Sequence, residues 1–147
     1  MNKAVNTEMI RARLSEILES VEKIRALVAQ SHEDFFADER NLYTVYHLLL
    51  ICIEAVATIC NHLLARLAKT APASYNECFE RLRDLGILDD DIVARLIPMA
   101  RFRNFLVHGY WDIDPDRVLI YARNNLGDFE DYNKAIIGYL TGTGTPE

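Results

Sequence analysis

Leu48-Leu49-Leu50-Ile51-Cys52-Ile53-Glu54-Ala55-Val56-Ala57-Thr58-Ile59-Cys60 is the longest apolar run in the chain, and the pattern around it decides what it is. Leu42, Val45, Tyr46, Leu49, Ile53, Val56, Cys60, Leu63 and Leu67 recur at helical spacing through and beyond the run. The run is shorter than a membrane span requires and has Glu54 inside it, so no membrane segment is expected. It predicts instead a buried helix that begins near residues 34–38 and runs toward 69, where Ala71-Pro72-Ala73 ends it. Residues 48–53 are apolar on every face. Cover must therefore come from more than one direction, either from neighbouring helices or from a second copy of the chain.

Outward from this helix the signals remain helical. Ile10, Leu14, Ile17, Val21, Ile24 and Val28 form one stripe of a first helix over about 7–30. A short helix over 74–85 should stop at Gly86, which suits a left-handed cap. Asp89, Asp90 and Asp91 then offer N-caps and favourable charge to a helix running to His108, with Pro98 inside it. Gly109 ends that helix, and Asp114-Pro115 opens a last one carrying Leu119, Ala122, Leu126, Phe129, Asn133, Ile136 and Leu140. No stretch alternates like a strand, and none has linker composition. The expected fold is all-α: one domain over 1–147, an antiparallel bundle of about five helices with a flexible tail from 140.

Composition narrows the function. At 147 residues, half of them apolar, the chain supports one well-buried core. The net charge of −6 argues against coating nucleic acid through a broad electrostatic footprint, although Arg95, Arg101 and Arg103 leave room for a local basic cleft. Cys52, Cys60 and Cys78 form no CxxC pair and have no histidine at ligand spacing, so they are expected to be reduced core thiols. With no export signal at the N-terminus, the expected compartment is the cytoplasm.

Chemistry concentrates in Arg101-Phe102-Arg103-Asn104-Phe105-Leu106-Val107-His108-Gly109-Tyr110-Trp111, where polar groups gather at the end of an apolar helix. Burying them unpaired is costly, so they should face partners or a cleft. At about 100° per residue, Asn104 and His108 share a face, while Arg103 is offset from His108 by roughly 140°. A helix C-terminus favours imidazolium, which suits His108 to acid–base work. Glu54, interrupting the apolar run, needs a partner: either a core salt bridge, or Arg103 or His108, which it would orient. Arg101 is a supporting candidate for RNA binding, with a solvated arginine as the plainer reading. Arg40, Asn41 and Tyr43 are further candidates for lining a cleft, whereas His32, His47 and His62 are read as structural.

Arg103, Asn104, His108 and Tyr110 match the R-N-x-x-x-H-x-Y motif, by which the chain resembles the HepT-like toxins of the HEPN superfamily. The helix order is similar over roughly the whole chain. The resemblance implies a homodimeric, metal-independent endoribonuclease that needs no cofactor. In it the ribose 2′-hydroxyl attacks the adjacent phosphate, His108 moves the proton, Arg103 stabilises the phosphorane and Asn104 positions the backbone or His108. It also implies a toxin–antitoxin module, with a minimal nucleotidyltransferase antitoxin attaching AMP to Tyr110. The competing expectation is a non-catalytic helical module that binds nucleotide or RNA, or that serves as the substrate-binding partner of a nucleotidyltransferase. A purely structural dimerisation bundle ranks last.

Overall fold

The computed structural model describes residues 5–108 and 114–142, with His108 described by its backbone only. Among these residues the chain forms seven helices: α1 (Thr7–Val28), α2 (His32–Ala37), α3 (Glu39–Leu67), α4 (Tyr75–Asp84), α5 (Asp90–His108), α6 (Pro115–Asn124) and α7 (Leu126–Thr141). Two of the five expected helices are each divided in two. Asp38 is extended between α2 and α3, where its carboxylate accepts the Arg40 N–H and caps α3. Asn125 leaves helical geometry between α6 and α7. The packing stripe survives that second break: Leu119, Ala122, Leu126, Phe129, Asn133 and Ile136 are all buried.

α3 forms the centre, and its most extensive contact is with α1. The two run antiparallel: the Asn6 N–H ahead of α1 donates to His62 Nε2 late in α3, and the Cys52 thiol in mid-α3 donates to the Ile17 carbonyl. The stripe expected on α1 is entirely buried against this helix and its neighbours. α7 closes the bundle, with the Tyr132 hydroxyl donating to the Val56 carbonyl and Asn133 Nδ2 to that of Leu14. α3 is long and apolar enough to cross a membrane by length and composition, but most of its apolar surface is spent on this core. Burial pushes the Cys52 thiol up to about 12 and raises Cys60 as well, so both stay protonated within the packing.

The helix ends that aim the candidate site follow from local sequence. Gly86, at φ +80°, closes α4 by a Schellman turn, with its own N–H donating to the Arg83 carbonyl and that of Ile87 to Leu82. Asp89 caps α5 through the Ile92 N–H, as its acidic run predicted. The helix then continues through Pro98 to His108. The Tyr46 hydroxyl of α3 donates to the Leu106 carbonyl, satisfying one of the orphan acceptors at the end of α5 and fixing that end against α3.

Candidate active site

Arg103 points from α5 toward the middle of α3. Its Nε donates to Glu54 Oε2 at 3.0 Å, and its guanidinium lies over the ring of Tyr75, 5.5 Å from the centroid. The Arg103 side chain is 26% exposed and that of Glu54 49%. The partner of Glu54 is thus Arg103, in a part-exposed ion pair outside the core: α3 turns this carboxylate outward, beyond the buried Ile53 and Ala55. Only Nε is held. Neither terminal nitrogen of Arg103 has a partner among the described residues, so a charged fork remains open for a phosphate oxygen.

Asn104 and Arg101 are exposed on other faces of α5, each without a hydrogen-bond partner among the described residues. His108 is the last residue of α5. Its side chain and the whole of Tyr110 lie outside the described residues. Arg95, grouped with Arg101 and Arg103 by sequence, does not join a basic cleft. It pairs with Asp91, Asp128 and Asp131 at 2.8, 3.1 and 2.7 Å. Those bonds, chiefly the one to Asp131, raise its pKa further and spend its charge on holding α5 to α7.

The residues considered for the cleft at the start of α3 divide. Arg40 folds back onto Asp38, and Asn41 donates to the Phe35 carbonyl, so both are used at the α2–α3 joint. Tyr43 remains 62% exposed. His32 has a partner that spacing did not reveal, since its Nε2 lies 2.7 Å from Asp116 Oδ1. His47 joins Arg13, Glu16, Leu50, Ile51, Glu54, Ala55 and Thr58 around an open groove of about 360 Å³. Glu54 thus stands between this groove and Arg103.

Tyr75 is the residue that sequence reading missed. Burial first, and the Glu54 carboxylate next, raise its phenol above the ordinary value, with the Arg103 cation opposing. It stays protonated at neutral pH and serves as a ring beside the arginine. The available signal was its place just after the Ala71-Pro72-Ala73 break, where a new helix turns back alongside α3. Arg117 was missed too: it stacks over Phe105 at 4.2 Å, bringing a cation of α6 against the last turns of α5.

The chain and its fold are similar to known proteins. Residues 17–136 match the family described as "Ribonuclease HepT-like". The tRNA nuclease HepT of Aphanizomenon flos-aquae is 26% identical over 132 residues, covering 90% of each chain. The mRNA nuclease HepT of Shewanella oneidensis is 22% identical over 121 residues, covering 82% of this chain and 88% of that one. The fold superimposes with a TM-score of 0.80 on a tri-AMPylated HEPN toxin from Shewanella oneidensis solved in complex with its MNT antitoxin, at 23% identity and covering 90% of this chain and 98% of that one. With the family match spanning the greater part of the bundle, from α1 into α7, this chain belongs to the HepT-like ribonuclease family.

Proposed function

We propose that this protein is the toxin of a two-gene module and an endoribonuclease whose reacting phosphate is held by Arg103. The observation that carries the reading is the half-open guanidinium: Glu54 holds its Nε, both terminal nitrogens are without a partner among the described residues, and His108 ends the same helix just over one turn later. The 2′-oxygen of the ribose attacks the phosphorus and the bond to the 5′-oxygen breaks, leaving a 2′,3′-cyclic phosphate and a 5′-hydroxyl. His108 takes the 2′-proton, and an imidazolium returns a proton to the departing 5′-oxygen. Arg103 stabilises the charge that builds on the non-bridging oxygens, and Asn104 orients the RNA backbone. No cofactor enters these steps.

A homodimer supplies the second imidazole. Support comes from the outward stripe of α3, where Tyr43, His47, Leu50, Ile51, Glu54 and Thr58 recur at helical spacing beside the groove. Leu50 and Ile51 are only half-buried in the single chain. Pairing two such stripes brings two copies of Arg103 toward one cleft, which answers the angular offset between Arg103 and His108.

The toxin acts in the cytoplasm and is silenced by a minimal nucleotidyltransferase antitoxin, as the AMPylated relative was solved with its MNT antitoxin. The Tyr110 oxygen attacks the α-phosphorus of ATP and pyrophosphate leaves. The attached AMP places a phosphodiester where the RNA phosphate would sit. The deciding experiment incubates the purified, unmodified protein with labelled RNA in excess EDTA beside His108→Ala. Cyclic-phosphate ends formed by the parent alone are expected. Intact RNA with both proteins would overturn the reading in favour of a binding module.

A further inference from the structure

Beside Tyr75 lies a hollow of about 250 Å³ that the proposed reaction has not used. Asn61 of α3 forms one wall; Pro72, Ala73, Ser74 and Tyr75, on the way into α4, form the rest. Its chemistry is that of a donor-lined aromatic slot. The Ser74 Oγ accepts the Glu77 N–H at 3.1 Å, which leaves its own O–H to donate. The Asn61 Oδ1 faces the Cys78 thiol at 4.0 Å, and Asn61 Nδ2 has no partner among the described residues. The Ala73 N–H is already taken by Glu77 Oε1, and the Glu77 N–H by its Ser74 cap. Two of the backbone donors here are therefore spent, and side-chain donors stand at the edge of an aromatic ring.

We propose that this hollow is a nucleobase subsite: a base of single-stranded RNA stacks on the Tyr75 ring and turns an accepting edge to Asn61 Nδ2 and the Ser74 hydroxyl. Its neighbouring phosphate then reaches Arg103, which already lies over the same ring. Bases offer a stacking face whatever their identity, while two donors side by side select edges rich in carbonyl and imine acceptors. The inference rests on the endoribonuclease reading above and adds specificity-determining residues, Tyr75 and Asn61, to it. Neither moves a proton. They set which nucleotide flanks the broken bond.

The test uses the full chain and a short 2′-O-methyl RNA that cannot be cut, carrying 2-aminopurine at successive positions. Parent and Tyr75→Phe should quench the probe strongly at one position. Tyr75→Ala should lose that quench and bind about tenfold more weakly. Asn61→Ala, a change at an exposed side chain, should keep the quench and flatten the base preference at that position. Equal quenching and affinity in Tyr75→Ala would overturn the subsite. If the parent quenches the probe but leaves the all-ribose strand uncut, the nuclease reading fails and the subsite stands. If the parent cuts and Tyr75→Ala matches it in KM and base preference, only the subsite fails. No binding of either strand overturns both.

Discussion

Arg95 and Arg103 stand about two turns apart on α5, and composition and charge alone group them together. In the fold they are opposites. Arg95 meets three carboxylates, two of them on α7, and every direction of its fork is answered. Among the described residues Arg103 meets one carboxylate, at Nε, and lies against a tyrosine ring, with its terminal nitrogens unpartnered. A guanidinium saturated by carboxylates has no attraction left for a phosphate, whereas one held at a single nitrogen is both oriented and available. What separates a saturated arginine from one able to take a phosphate is the count of acids around it, and that count is set by which helices meet there.

The sharpest break of this comparison is expected at Arg103. Arg103→Ala should lower RNA cleavage by about 10²- to 10³-fold, as loss of a donor to a developing oxyanion does, with little change in the urea midpoint. Arg103→Lys should recover little of it, because an ammonium cannot bond Glu54 and phosphate with one planar fork. Arg95→Ala should do the reverse. It leaves Asp91, Asp128 and Asp131 without their cation, and should cost about 1–2 kcal/mol in urea unfolding after allowance for solvent screening. Activity per folded molecule should be retained. If Arg95→Ala lost activity at unchanged stability, the division between the two arginines would be wrong.

The same contrast explains what was legible beforehand. The burial of Ile10, Leu14, Ile17, Val21, Ile24 and Val28 was written in their spacing, because a stripe at period 3.6 has one inside wherever its partner lies. The caps at Asp89 and Asp114 and the stop at Gly86 were equally local. The division at Asn125 was invisible: the bend keeps Ala122 and Leu126 on the core side, so the pattern reads through it. The motif pointed to Arg103 and the apolar run to Glu54, and their pairing was one of two readings of Glu54; choosing it required knowing that mid-α3 faces the late part of α5. Tyr75 carried no pattern at all. Its place beside Arg103 comes from the turn that returns α4 alongside α3, a contact between residues distant in sequence.

Glu54 offers a finer cut at the same comparison. Glu54→Gln keeps an acceptor for the Arg103 Nε–H while removing the charge that competes with phosphate. The variant should bind RNA more tightly, with KM falling, while kcat drops by about ten- to a hundredfold as the bond that aims the guanidinium loses its charge assistance and loosens. A single-turnover assay separates the two. A fall in kcat/KM arising from KM alone would mean that Glu54 attracts substrate through another group and does not orient Arg103.

The smallest expected effect lies at the far end of α3, where a titratable side chain supports the fold and not the site. His62 Nε2 accepts the Asn6 N–H at 2.8 Å, which only an unprotonated nitrogen can do, and Asn6 caps α1 through the Met9 N–H. Burial first, and the nearby Arg66 second, hold its pKa below 6.5. A base with a depressed folded pKa contributes its stabilisation in full above its unfolded value and loses it as pH falls through the folded one. Lowering the pH from neutral to well below 6.5 should therefore speed amide exchange in the first turn of α1, while the middle of α3 stays protected. His62→Gln keeps an acceptor at every pH, so its first turn should show no such step once intrinsic exchange rates are divided out. An identical step in the variant would assign the loosening to another group, the exposed His32–Asp116 pair being the one to remove next.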